Sequence, residues 1–410
     1  MNILLVNKYH FPKGGADRAY LDMGALFERA GHSVAYFAMQ HPKNFPTPWE
    51  KYFVSGIDYE EAHHVGIVEK VRIVRNILWN AEAERNMEQL LKEFHPDIVH
   101  LHNIYHQLSP SILHPIKKRA IPTVMTLHDY KLVSPNYSLF VCGRIWEETK
   151  GGAYWKCVRD RCVKDSVAKS MVCAAEAYFH KRIDAYGAIR TFLSPSRFLL
   201  EKFREFGFDR PIEYLPNPLT PFPTDMSNTV LPKDAPFLFL GRLSAEKGVD
   251  VLIRAMQEYQ GSSKLCIAGE GPARASLEML VREIGMSEKV KFLGHLSGLE
   301  LESARNSAKA ILIPSRWYEN MPYVLTESLA AGKIVVAANR GGIPERIRHS
   351  ENGFLFDPED VVSIADALRE VDDCDSLPIQ RAARMSAEDL REEVYIRNLL
   401  GIYESLGVEH

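Results

Sequence analysis

No apolar run in this chain approaches the ~20 residues that cross a bilayer; the longest uncharged ones are short, such as 310–314 and 334–338. The first residues, Met1 to Asn7, have neither a basic region nor a small-residue cleavage site, so they read as a strand and not as a signal peptide. Cysteine is sparse, with six in 410 residues, which excludes a disulfide scaffold. In a signal-free chain this points to a reducing, cytoplasmic setting. A dominant charge sign is also missing: 50 Lys and Arg stand against 53 Asp and Glu, for a net charge of −3. That leaves no basic excess for nucleic acid, and none is expected as a partner. There is no internal repeat and no low-complexity tract.

What is present is an ordinary globular composition, 46% hydrophobic and 25% charged, at a length that suits two domains. The near-neutral total hides a split. Residues 1–215 carry a balance of +5 and twelve of the 15 His, and the remainder carries −8. The basic part suits an anionic substrate, or peripheral contact with the inner face of a membrane.

Short β-rich runs alternate with helix-period stretches, the pattern of parallel sheets with crossover helices. In the first half the strands are expected at 3–7, 33–38, 97–102, 123–127, 191–194 and 212–215. Helices are expected at 16–30 and along 67–94, the second amphipathic with a basic face that reads first as a solvated face over a buried stripe, with contact to lipid head groups as the alternative. A proline-rich segment, 216–236, reads as a linker. Beyond it the alternation restarts at 237–240, 264–268, 290–293, 310–313 and 334–338, and the tail 387–405 reads as one amphipathic helix. The expectation is two doubly wound α/β domains, 1–215 and 216–386, with 387–410 returning to the first. They would face each other across a cleft, with the chemistry in loops after strands.

Those loops carry candidates. Gly241-Arg242-Leu243-Ser244-Ala245-Glu246-Lys247-Gly248 sets an Arg fork and a Lys point charge five apart on one turn, suited to one anion. In Gly269-Glu270-Gly271-Pro272 two glycines permit a close backbone approach to a flat ligand, or form a plain tight turn. The third glycine of a dinucleotide fingerprint is missing. Gly294-His295 is a similar turn. The segment Pro314 to Glu327 places Glu319 in a loop, Pro322 at a helix start and Glu327 in the helix. Carboxylates there suit sugar or ribose hydroxyls, and the helix start suits phosphate. Gly341-Gly342 forms another strand-to-helix turn. In the first half, Gly14-Gly15 precedes a helix. His100 and His102 share one strand face but lack a third ligand, so they read as packed or hydrogen-bonded. His128, at a strand end, is the better functional candidate.

Taken in order, the motifs at 241–248, 269–272, 292–295, 314–327 and 341–345 resemble the retaining, nucleotide-sugar-dependent glycosyltransferases of family 4, the group 1 transferases. Gly14-Gly15, His128-Asp129, Ser194-Pro195-Ser196 and Asn217 match first-half features. The resemblance implies a GT-B fold of two Rossmann-like domains and no divalent metal or other cofactor. Arg242 and Lys247 would hold the donor diphosphate, with Gly14, Gly15 and Gly241 near it. Glu327 would take the ribose, and Gly269, Gly271 and His295 would flank the base. Glu319, with the backbone amides near Asn320, Met321 and Pro322, would meet the transferred sugar. The catalytic set is then His128, Glu319, Arg242 and Lys247.

The expected activity is transfer of a hexose-type sugar from a nucleoside-diphosphate sugar to a glycan or lipid-linked acceptor. A nucleotide-sugar epimerase of the same fold and a non-catalytic nucleotide-sugar-binding subunit are the alternatives. Residues 128–180 resemble a subgroup that assembles bacterial surface polysaccharides. Related members often carry four Cys there, but Trp146 to Thr149 stands where the first pair belongs. Free thiols in a packed loop are therefore expected, with a Cys157–Cys162 disulfide as the alternative.

Overall fold

The short apolar runs form the inner strands of two parallel sheets, buried on both faces as crossover helices require. The structure, a computed structural model, describes residues 1–56, 66–223 and 230–408. It divides into two compact units: Met1–Ser138, Glu147–Pro218 and Glu392–His410 form the first, and Leu139–Trp146 and Leu219–Arg391 the second.

In the first unit the order is β1 (Asn2–Val6), α1 (Gly15–Arg29), β2 (Ser33–Phe37), α2 (Ile67–Leu78), α3 (Ala81–Phe94), β3 (Ile98–Leu101), α4 (Leu113–Lys118) and β4 (Thr123–Thr126). A hairpin, β5 (Phe140–Val141) and β6 (Arg144–Ile145), is grouped with the second unit. Then come α5 (Trp155–Arg159), α6 (Val167–Arg182), β7 (Thr191–Ser194), α7 (Arg197–Glu205) and β8 (Ile212–Tyr214). The sheet order is β2-β1-β3-β4-β7-β8.

The second unit runs β9 (Phe237–Leu240), α8 (Val249–Glu258), β10 (Leu265–Ala268), α9 (Arg274–Glu283), β11 (Val290–Gly294), α10 (Gly298–Ser307), β12 (Ala310–Ile313), α11 (Tyr323–Ala330), β13 (Val335–Ala338), β14 (Phe354–Phe356), α12 (Val361–Asp373) and α13 (Ser376–Met385). Its sheet order is β11-β10-β9-β12-β13-β14. The order reverses between β9 and β12, so the loops leaving those strands flank the switch point where doubly wound sheets bind ligands. The last helix, α14 (Glu392–Ser405), belongs to the first unit. Its Tyr395, Leu399 and Tyr403 join the core of Ile3, Leu5, Met23 and Phe27.

Several expectations are corrected. The helix expected along 67–94 is two helices. Asn80 stops the first by capping the second, accepting from the Glu82 and Ala83 N–H groups at 3.1 and 3.2 Å. The tail is not one helix either: a short 3-10 turn, Glu388–Leu390, precedes α14. The Gly341-Gly342 turn leads into a 3-10 turn, Ile343–Glu345, and not an α-helix, whereas Pro322 stands at the N-cap of α11, at the helix start expected for it. Cys157 and Cys162 are disulfide-bonded, where free thiols were the leading expectation. The chain turns back after α5, with the Cys162 N–H donating to the Cys157 carbonyl at 3.0 Å, so the two Cα atoms lie 4.9 Å apart. Part of the proline-rich linker, 224–229, lies outside the described residues.

Candidate functional site

Three loops at the carboxyl ends of β9, β12 and β13 interlock around Glu319. Lys247 closes the β9 loop, and Gly248 follows it at φ +67°, where a Cβ would overlap the Pro314 carbonyl. The Arg316 N–H donates to the Glu246 carbonyl at 2.8 Å, tying the β12 loop to the β9 loop. On the other side Gly341, at φ +68°, lies so close to the Glu319 backbone that a Cβ would overlap it. The Gly342 N–H donates to the Glu319 carbonyl at 2.7 Å. Glu319 is thus fixed through its backbone before its side chain makes any bond.

The Glu319 side chain is buried. Its Oε1 accepts from Lys247 Nζ at 2.6 Å and from Ser315 Oγ at 2.8 Å. Burial alone would raise this carboxyl, but the Lys247 charge and the hydrogen bonds outweigh it and hold it below its ordinary value. Lys247 also lies 5.3 Å above the Trp317 ring. Arg242, on the same loop, is exposed and makes no ion pair among the described residues. One loop therefore offers an oriented ammonium and an uncommitted guanidinium.

The glycines of the β10 loop have a local cause. A Cβ on Gly269 would overlap the Gly241 carbonyl, and one on Gly271 the Leu243 carbonyl. They fit the β10 loop against the backbone of the β9 loop. Glu327, one turn into α11, accepts from Arg305 Nη2 of α10 at 2.8 Å. Asn320 is partly buried, Met321 is buried and Pro322 precedes the first turn of α11. His295 is exposed and borders a cavity of about 640 Å³ between α10 and the sheet, with Leu238, Cys266 and Leu299.

In the first unit Gly14 caps α1 without a side-chain bond, and Gly15 opens the helix. The helix start already holds a carboxylate of its own. Asp17 accepts from Asn7 Nδ2 at 2.8 Å and from the Gly14 N–H, and burial raises it despite these bonds.

His128 hydrogen-bonds through Nε2 to His102 Nδ1 at 2.8 Å, and the two rings stack at 5.1 Å. His100 stacks on His102 at 5.0 Å and bonds Thr126 Oγ1 at 2.7 Å and Tyr403 Oη at 2.6 Å. The strand histidines are packed and hydrogen-bonded, as expected for a pair without a third ligand. Burial lowers His128 to about 4, which favours the neutral imidazole at physiological pH. Burial raises its neighbour Asp129 to about 6.

Sequence reasoning missed some charged groups. Buried Lys131 Nζ lies 2.8 Å from Glu176 Oε2, with His106 and Cys173 beside the same carboxylate. Burial would raise Glu176, but Lys131 and His106 hold it well below the usual range. The cation that Glu176 holds is this lysine. Lys8, after β1, is lowered to about 8 by burial and then by Lys13. Arg305 was also unforeseen. Only the loop position of Lys8 was visible as a signal.

The family model for Glycosyltransferase Family 4 matches residues 13–221, half of the chain, and that for Glycosyl transferases group 1 matches 223–388. The chain belongs to glycosyltransferase family 4. It is an enzyme that transfers sugar units. A Klebsiella pneumoniae protein described as an uncharacterized 42.6 kDa protein in the cps region is 26% identical over 387 residues, 91% of this chain and 94% of that protein. Sucrose-phosphate synthase from Thermosynechococcus elongatus superposes with a TM-score of 0.70 at 17% identity, over 99% of each chain. Anabaena HepE in complex with UDP-glucose gives 0.65 at 17% identity, over 99% of this glycosyltransferase and 100% of HepE. At that identity the likeness is one of fold, and the fold is GT-B.

Proposed function

We propose that this glycosyltransferase moves a hexose-type sugar, with retention of anomeric configuration and without a divalent metal, from a nucleoside-diphosphate sugar to a glycan or lipid-linked acceptor. The observation that carries the reading is the β9 loop, where Lys247 is oriented by Glu319 at 2.6 Å and Arg242 stands exposed beside it. Breaking a sugar–phosphate bond builds negative charge on the departing diphosphate. Two fixed cations stabilise that charge as it grows and need no reorganisation to do so. They supply what a metal ion would supply elsewhere.

Glu327 accepts the ribose hydroxyls, and Arg305 keeps its carboxylate in place. Glu319 acts first as the counter-ion that aims Lys247. Neutral His128 offers a hydrogen bond to a sugar hydroxyl. A double displacement would need a carboxylate on the opposite face of the oxocarbenium-like sugar, and none is assigned; the route is therefore front-side, with the leaving phosphate helping to deprotonate the acceptor. Two relatives support the reading: HepE is described with UDP-glucose, and the Klebsiella protein lies in a cps region, which fits polysaccharide assembly.

A thermal-shift panel of UDP-, GDP- and ADP-sugars tests the donor class. One nucleotide sugar should raise the melting temperature by several degrees, and proton NMR of the product should show the donor's anomeric configuration. Inverted product, or no shift with any member, overturns the reading.

A further inference from the structure

The first unit exposes apolar side chains where its core does not need them. Helix α6, capped by Ser166, turns Ser170, Ala174, Glu176 and His180 inward. Its outward face carries Val167, Met171 and Tyr178, followed by Phe179 and Ile183, each between 37% and 56% exposed. Spacings of four and seven place the first three on one stripe. Trp155 of α5, 54% exposed, lies beside the stripe, with its backbone N–H donating to Tyr178 Oη at 3.2 Å. Helix α2 packs on α6, where His180 Nε2 meets the Leu78 carbonyl at 3.0 Å, and exposes Val68 at 85% and Val71 at 63%. Scattered exposed apolar residues are normal, but this concentration on neighbouring helices is not.

The same helices and the segments beside them carry exposed cations. Lys70 and Arg75 of α2, Arg161 and Lys164 before α6, and Arg182 at its end are all exposed. None makes an ion pair among the described residues. Elsewhere exposed cations commonly find a carboxylate, as Lys51 does with Glu93 and Arg29 with Glu392. Apolar and aromatic side chains together with unpaired lysine and arginine match an anionic lipid surface, with the apolar groups entering the head-group boundary and the cations meeting lipid phosphates. A nucleic acid would leave the aliphatic stripe unsatisfied. A second copy meeting the same patch about a two-fold axis would bring like charges together. No described helix is long and apolar enough to cross a membrane, so contact would be peripheral.

We propose that the α2 and α6 face, with Trp155, docks this glycosyltransferase on the surface of an anionic membrane. The proposal extends the lipid-linked-acceptor reading, but vesicle binding needs neither donor nor acceptor, so the two readings fail separately. Full-length protein is floated with vesicles of phosphatidylcholine alone, or of phosphatidylcholine with phosphatidylglycerol. Binding should be at least tenfold stronger to the anionic vesicles and should weaken as salt rises. The double variants Trp155→Ser with Met171→Ser, and Arg75→Glu with Arg182→Glu, should each lose at least tenfold in vesicle affinity. Their melting temperature and nucleotide-sugar binding should stay at the wild-type value. Equal binding to both vesicle types, equal flotation of wild type and variants, or a dimer that Trp155→Ser dissolves would overturn it.

Discussion

Lys247 Nζ lies 2.6 Å from Glu319 Oε1, although 72 positions separate the two in the chain. The bond exists because Gly248 and Gly341 let three loops close on one another. It fixes the ammonium in place before any ligand arrives. Lys247→Ala should lower kcat about 10²-fold, the scale seen when one preorganised donor to a developing anion is removed. It should also lower the melting temperature, because Glu319 is left buried without its counter-ion. Glu319→Gln should cost a similar factor in kcat. If the residues act as a unit, the double variant is no slower than the worse single one; independent, multiplying losses would argue against the pairing.

The Arg305–Glu327 pair makes a prediction about ribose. Ribo- and 2′-deoxyribonucleoside diphosphates of the preferred base should bind wild type with affinities that differ at least tenfold. Glu327→Ala should remove that difference. Arg305→Met should reduce it while leaving the deoxy ligand's affinity nearly unchanged, as read by calorimetry. A persistent preference in Glu327→Ala would show that the ribose is read elsewhere.

The glycines of the interlock can be separated from glycines needed only for their backbone angle. Gly248→Ala combines a positive φ with overlap of the Pro314 carbonyl, and should cost about 2 kcal/mol or more. Gly285→Ala, at φ +71° with open space around it, should cost only about 1 kcal/mol. Urea unfolding of both variants measures the difference; equal losses would mean that the loop contact contributes nothing.

Much of the architecture was legible because buried parallel strands must be apolar on both faces, as β12 and β13 are. The break at Trp79–Asn80 was hidden, since the apolar period continues across a cap that one side chain supplies. Arg242, Lys247, Glu319 and Glu327 were visible as strand-end and helix residues. Their partners Ser315 and Arg305 depend on how loops and α10 pack, which spacing does not encode. Gly269 and Gly271 read either as ligand contacts or as a plain tight turn, and the close approach of the Gly241 and Leu243 carbonyls gives them a local packing cause that spacing does not encode. The Lys131–Glu176 pair and the His102–His128 stack join segments 45 and 26 residues apart and follow from sheet register and α6 packing.

The buried histidines set an acid limit. Burial lowers His10 to about 4 and His128 to about 4, and burial with the nearby His128 lowers His100 to about 3. Unfolded, each titrates near 6.5. Below 6.5 the unfolded chain binds the extra protons, so stability is complete above that pH and falls toward pH 4, by about 2 kcal/mol for each histidine at pH 5. Asp129, raised to about 6 by burial, works the other way and returns part of this as pH drops below 6. The melting temperature should therefore be clearly lower at pH 5 than at pH 7.5; a flat profile would contradict the buried, neutral imidazoles.

The most direct test of the account is calorimetric titration of the preferred nucleotide sugar into wild type and Lys247→Ala, each in excess chelator and again with added Mg²⁺ or Mn²⁺. The account predicts wild-type binding that is indifferent to chelator and metal, and an affinity at least tenfold weaker in Lys247→Ala under every condition. Binding that disappears in chelator and returns with metal, or that Lys247→Ala leaves unchanged, would contradict it.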